Sequence, residues 1–278
     1  MGNIDWNKLG KLNVPMDFVK VLENNIKNNP TRYGYDHYSY NGIGGIPRVS
    51  EIIKVACDSN NLIEWAAKVG LKKYEMYRDD ALDVGSITHK AIEEHLNGNK
   101  VNIEDLAYGV LVDDIKLINQ VKTSFGNFLH WERLMKENGY NIITIASEKE
   151  ILCPLFGGTI DWIVELIDVN NLSKKFIVDF KTSKSISSNY LLQTAAYRMA
   201  WNWNDYYFNS GNNFINGIGI IRLDKYTPNT LNYFFIDDYD ILARLEYDTK
   251  SMINWYYCYK DSISALKMIN ARSDFKNE

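Results

Sequence analysis

"GGTIDWIVELIDVNNLSKKFIVDFKTSK", residues 157–184, holds two apolar, β-branched runs separated by the polar turn "DVNNLSK". Alternation on both sides of a short Asn- and Asp-rich link is the pattern of an antiparallel hairpin. Two charged residues interrupt the second run, Asp179 and Lys181. Successive strand side chains alternate between faces, so these two leave the sheet on the same side. A turn centred near residue 171 places Asp161, in the first run, opposite Lys181 and diagonal to Asp179 on that face. A slip of one residue would send Asp161 to the other face. The question raised is whether this is an ion pair on a sheet or the centre of an active site.

A D-x-K triplet carries little by itself, because the chain has four: Asp114–Lys116, Asp179–Lys181, Asp248–Lys250 and Asp274–Lys276. The triplets at 114 and 248 lie in helical patterns, where positions i and i+2 do not face each other. The one at 274 follows no strand. Only Asp179–Lys181 ends a β-branched run. On the next periodic segment, "SSNYLLQTAAYRMAWNW", serine caps precede a helix on which Gln193 and Tyr197 share a face at i, i+4. Upstream, "GSITHKAIEEHLNG" reads as a helix that begins after Gly85, ends near Gly98 and carries His89 early in its course.

The rest of the chain extends this arrangement. Residues 1–45 are rich in Asn, Gly and Tyr and read as a loop-rich arm; residues 46–278 read as one domain. "IPRVSEIIKVA" and "SNNLIEWAAKVG" are two further helices, and Asp113–Gly139 is a long amphipathic one. "YNIITIASEKEIL", with Glu148, alternates as the strand before the hairpin. "NGIGIIRL" and "LNYFFI" are later strands, and a last helix starts near Asp238. Helices, three strands, helix, two strands and helix make an α/β fold with a helical N-terminal layer.

Two adjacent carboxylates repel at neutral pH unless one is protonated or a cation lies between them. Oxygen ligands suit Mg²⁺ or Mn²⁺, ions that polarise a phosphodiester and acidify water. The residues alone leave three alternatives open. These are a metal-dependent hydrolase, a structural ion-pair network, and a two-carboxylate hydrolase of the glycosidase kind.

"GGTID", "IVDFKTSK" and "QTAAY", in this order and spacing, resemble the motifs of the PD-(D/E)xK nuclease superfamily. The likeness is to its RecB-like branch, which includes phage exonucleases and the nucleases of CRISPR adaptation. "GSITHKAIEEH" resembles the histidine motif of that branch, and the resemblance spans residues 46–223. It implies a restriction-endonuclease-like mixed sheet flanked by helices. It also implies a divalent-metal-dependent deoxyribonuclease, an exonuclease of phage or bacterial recombination or repair, with a catalytically inactive nucleic-acid-binding or assembly module as the alternative. By that resemblance His89, Asp161 and Asp179 would ligate Mg²⁺ or Mn²⁺, joined by the Phe180 carbonyl. Lys181 would orient the attacking water, Gln193 and Tyr197 would brace the site or contact DNA, and Glu148 would join the acidic cluster. Many members hold an iron–sulfur cluster on four cysteines. This chain has three, only Cys258 of them C-terminal, so no cluster is expected.

Composition agrees with a globular chain: 278 residues, 46% hydrophobic and 24% charged. A formal net charge of −4 argues against wholesale coating of nucleic acid but leaves room for a positive groove. The opening "MGNIDWNKLG" has no apolar leader, and no run approaches a membrane span. The expectation is a cytoplasmic protein with DNA as partner, together with a recombinase or single-strand-binding protein, and no membrane association. Lys72, Lys73, Lys174, Lys175 and Lys184 are candidate phosphate contacts, each with solvated charge as the simpler reading.

Overall fold

The structure is a computed structural model that describes residues 38–40, 43–57, 60–111, 114–208 and 213–274. The expectation of a loop-rich arm over residues 1–37 lies outside the described residues. Residues 38–40 and 43–46 do not continue such an arm. They form two short antiparallel strands, β1 (Tyr38–Tyr40) and β2 (Ile43–Ile46). The Pro47 carbonyl then accepts from Gly157 N–H at 3.0 Å, which ties this segment to the main sheet. A Cβ on Gly157 would lie 2.7 Å from the Tyr38 ring, so the aromatic ring seats on a bare backbone.

Five helices follow: α1 (Val49–Ala56), α2 (Asn60–Val69), α3 (Leu71–Leu96), the short α4 (Ile103–Ala107) and α5 (Ile115–Glu137). Asp114 caps α5, its Oδ1 accepting from Lys116 N–H at 2.9 Å and Leu117 N–H at 3.1 Å. Helix α3 corrects the sequence reading. Gly85 does not open a helix but lies within one of 26 residues. Residues 71–84 are mostly good helix formers, and one interior glycine costs only about 1 kcal/mol. Gly85 faces the end of strand β5, where an added Cβ would lie 3.4 Å from Thr182 Oγ1.

The sheet is β3 (Asn141–Leu152), β4 (Gly157–Ile167), β5 (Ser173–Lys181), β6 (Gly217–Arg222) and β7 (Asn232–Ile236), in that spatial order. Strand β6 runs parallel to β5, and the other pairs are antiparallel. Helix α6 (Ser188–Phe208) makes the crossover from β5 to β6, and α7 (Tyr239–Asp274) ends the described chain. This is the mixed α/β sheet flanked by helices that the pattern of periods indicated. No helix among the described residues is long and apolar enough to cross a membrane.

The β4–β5 register pairs Trp162 with Val178 and Ile163 with Ile177, which centres the turn at residue 170 rather than 171. The Asp168 carboxylate draws the turn tight by accepting from Asn170 and Leu172 N–H at 2.8 and 2.9 Å, and Asn171 takes a left-handed φ of 59°. Moving the centre by one residue moves each partner by two. The faces are therefore unchanged, and Asp161 comes level with Asp179 instead of Lys181.

Two apolar layers clamp the sheet. On one side Ile163 and Ile177 pack with Ala196, Tyr197 and Ala200 of α6 and with Tyr256 of α7. On the other, Trp162, Val178 and Phe180 pack with Phe128 and Trp131 of α5 and Ile92 of α3. Phe180 thus lies on the opposite face from Asp179 and Lys181. Its ring is held 5.4 Å from that of Phe128 and 5.9 Å from that of Trp162. The aromatic layer sets the depth and tilt of the strand that carries the charged pair.

A carboxylate row with a buried lysine

Three neighbouring strands each contribute one carboxylate at the same level: Glu148 from β3, Asp161 from β4 and Asp179 from β5. Ser147 pairs with Trp162 and Lys149 with Ile160, so Glu148 falls opposite Asp161, but the regular ladder skips that pair. Glu148 has a φ of 44°, left-handed in the middle of a strand. A non-glycine residue holds that conformation at a cost of about 1–3 kcal/mol and only where its surroundings impose it. On the other side the β4–β5 pairing stops at Trp162–Val178. The next free amide, Phe180 N–H, donates to Asp161 Oδ2 at 2.7 Å. The row sits where the ladder has opened.

His89 reaches this row from α3. Its Nε2 lies 3.1 Å from the Phe180 carbonyl oxygen, and its Nδ1 lies 3.6 Å from Asp161 Oδ1 and 3.7 Å from Glu148 Oε1. Donation from Nε2–H to the carbonyl would set the tautomer and turn Nδ1 toward the carboxylates, as a backbone carbonyl does for many metal-ligating histidines. The Phe180 oxygen, expected as a ligand, is here the partner of His89. Ligand atoms of His89, Glu148 and Asp161 all lie within 4.8 Å of one another.

Asp179 and Lys181 form the second half of the site. Lys181 Nζ donates to Asp179 Oδ1 at 2.8 Å and is ion-paired with Oδ2 at 2.7 Å, straddling the carboxylate. Asp179 is 1% exposed, and Lys181 is the cation that faces its two oxygens. The Lys181 ammonium also donates to Gln193 Oε1 at 3.4 Å, and Gln193 Nε2 donates to the Tyr197 hydroxyl at 3.2 Å. Tyr190, one turn before Gln193, places its ring centroid 4.9 Å from Nζ. Residues 190, 193 and 197 lie on one helix face, so the i, i+3, i+7 spacing could have added Tyr190 to Gln193 and Tyr197 from sequence alone.

Burial acts against every charge here, and the neighbours decide the outcome. Burial disfavours the His89 imidazolium, but Asp161 and Glu148 outweigh it and push the group up to about 10. Burial opposes ionisation of Asp161 too, yet His89, Lys181 and the Phe180 N–H hold it below the usual carboxylate range. Burial dominates at Asp179 and raises it to about 7, with Asp161 adding to the rise against the pull of Lys181. For Lys181 the desolvation is overcome by Asp179 and Asp161, which keep the ammonium charged. Burial raises the Tyr197 hydroxyl.

The donor set fits a divalent ion. His89, Glu148 and Asp161 present one nitrogen and two carboxylates, and the Asp179 carboxylate on the next strand is ion-paired with Lys181. An imidazole with two carboxylates is a generic set that could hold a metal ion and selects no particular one. The structure thus gathers His89, Glu148 and Asp161 as one cluster. Asp179, expected beside Asp161 as a ligand, lies on the adjacent strand with its carboxylate turned to Lys181.

No protein-family model matches the chain, and no curated protein matches it. One similar solved structure is titled "Crystal structure of SSO0001". It has 18% identity and a TM-score of 0.22, over 60% of this chain and 85% of that one. Superposition so slight says nothing about fold or function.

Proposed function

We propose that the protein is a divalent-metal-dependent deoxyribonuclease that hydrolyses DNA phosphodiester bonds at the Glu148–Asp161–Asp179 row. The observation that supports this reading above all is the adjacency of two units. A histidine–carboxylate cluster of metal-ligand geometry lies beside a lysine kept charged by Asp179 and aimed by Gln193. A network serving stability alone has no need of a left-handed Glu148 in the middle of a strand.

His89, Glu148 and Asp161 would hold Mg²⁺ or Mn²⁺, which supplies charge neutralisation at the phosphodiester and acidifies water. Binding there requires His89 to give up its proton, since the ring must be neutral to ligate. Lys181 supplies a fixed positive charge where the phosphoryl oxygens gain negative charge, and Asp179 with Gln193 removes its freedom to swing away. Water attacks phosphorus as the bond to the 3′ oxygen breaks. The water proton ends on that leaving oxygen, giving a 5′-phosphate and a 3′-hydroxyl. Exonuclease action in phage or bacterial recombination or repair is proposed on the motif resemblance.

The test is incubation of end-labelled linear DNA and closed circular DNA with Mg²⁺, Mn²⁺ or EDTA. Cleavage of the linear form alone, lost in EDTA, is expected. Lys181→Ala and Asp179→Asn should abolish cleavage while leaving the circular dichroism spectrum unchanged. Cleavage that persists in EDTA or in Lys181→Ala refutes the assignment.

A further inference from the structure

Resting on the nuclease reading, we infer that Lys225, on the loop between β6 and β7, is a contact for a DNA backbone phosphate flanking the bond that is cut. The loop leaves the sheet at the edge where the site lies. Strands β5 and β6 are parallel and end level, with Lys181 beside Arg222, and Leu223 N–H donates to the Lys181 carbonyl at 2.7 Å. One guanidinium nitrogen of Arg222 bridges the two loops that depart there. It donates to the Ser183 and Lys184 carbonyls at 3.2 and 3.1 Å and to Asp224 Oδ2 at 3.0 Å.

The β6–β7 loop is held at several points. Asp224 Oδ1 accepts from Tyr226 and Thr227 N–H, both at 2.8 Å. Asn127 of α5, fully buried, donates to the Asp224 and Thr227 carbonyls at 2.7 and 3.0 Å and accepts from Thr230 N–H at 3.1 Å. So many bonds on one surface loop give Lys225 a defined position. Its ammonium makes no hydrogen bond or ion pair among the described residues and lies 5.8 Å from the ring centroid of the exposed Tyr226. The side chain is partly buried, and desolvation lowers its pKa although Asp80 of α3 acts against that. The adjacent Asp224 carboxylate is already committed to Arg222. A partly desolvated cation on a clamped loop, with the Asp80 carboxylate near it but outside ion-pair distance, is a site for an anion.

Helix α3 passes the same end of the sheet: His89 meets the Phe180 carbonyl and Gly85 passes Thr182.

The experiment is fluorescence anisotropy of a labelled DNA duplex with full-length protein in EDTA, so that binding is read without cleavage, over 50–200 mM salt. Lys225→Gln should flatten the slope of log K against log salt by about 0.9, roughly a threefold difference across that range, and Lys225→Arg should restore it. The melting temperature of Lys225→Gln should not fall, since a desolvated charge is removed. An unchanged salt slope, or no DNA binding by the parent protein, overturns the inference. Normal binding and slope change without cleavage under any metal would overturn the nuclease reading and leave the phosphate contact in place.

Discussion

Gly158→Ala adds one methyl group at the point where β4 meets α6, and its effect can be worked from distances. The new Cβ would lie 2.5 Å from Tyr197 Cε1, 2.7 Å from the hydroxyl oxygen and 2.9 Å from Cζ. Carbon pairs rest at about 3.5–4.0 Å, so ring and strand must separate by about 1 Å. Tyr197 is 4% exposed and lies in the apolar layer with Ala196 and Ile177, so the ring has little room to retreat. Overpacking of this kind costs about 1–3 kcal/mol. Against it stands a gain of about 0.5–1 kcal/mol from replacing glycine within a strand. The net loss of about 0–2.5 kcal/mol corresponds to a fall in Tm of up to about 10 °C for a chain of this size. Thermal unfolding followed by circular dichroism measures it. Displacing the ring also pulls the Tyr197 hydroxyl from Gln193, which holds Lys181, so cleavage should drop along with stability. The decisive control is the same change in a Tyr197→Leu background, which lacks the clashing atoms; there Gly158→Ala should be neutral or stabilising. An equal penalty in both backgrounds, or a raised Tm in the parent, would refute the account of why glycine stands at 158.

The opposite sign is expected at Gly126→Ala in α5, where nothing lies within 4 Å of the added Cβ; removing a helix-interior glycine should raise Tm by about 1–4 °C in the same assay. Asn127→Ala removes three hydrogen bonds to the β6–β7 loop and should cost about 2–4 kcal/mol. Urea titration should show this as a lower midpoint at unchanged m-value. For His89 the pH dependence has a definite sign. Its folded value is raised from 6.5 to about 10, so the stability it contributes is complete below about pH 6.5 and is lost as pH rises through 10. In EDTA, His89→Gln should therefore melt below the parent at pH 6, and the gap should narrow toward pH 10. A gap that widens with pH would mean that the imidazole is neutral between its two carboxylates.

How much of this was legible in the sequence differs from residue to residue. The switch from helical to alternating periods located β3, β4 and β5, and the polar turn gave the hairpin. The two-residue period put Asp161 on the face of Asp179 even though the turn centre was misplaced by one, because that error preserves the face. Gln193 and Tyr197 followed from helical spacing. Glu148 was only weakly legible, because its place in the row depends on a left-handed backbone that no alternation pattern encodes. Gly85 was misread as a boundary because local propensity does not show what a helix packs against. The strand pair at residues 38–40 and 43–46 depends on Tyr38 seating over Gly157, and the loop clamp on Asn127 reaching Thr227 and Thr230. These contacts span about 100 residues or more and leave no local mark.

Phe180 has its ring in the aromatic layer while the residues on either side of it carry the charged pair. Hydrogen exchange should reveal what that coupling implies. Local opening frees segments that bury little, and strands locked on both faces exchange only when the whole domain unfolds. The amides of residues 176–178 lie in the latter group, on a strand paired on both edges with Ile177 packed on one face and Phe176 and Val178 on the other. Their protection should therefore equal the global free energy of unfolding. A substitution at Trp131 or Phe128, which contribute no group to the charged row, should lower that protection by the full amount it destabilises the protein. The strand that carries Asp179 and Lys181 then has no independent motion, and the placement of the charged pair would persist on heating until the fold itself is lost.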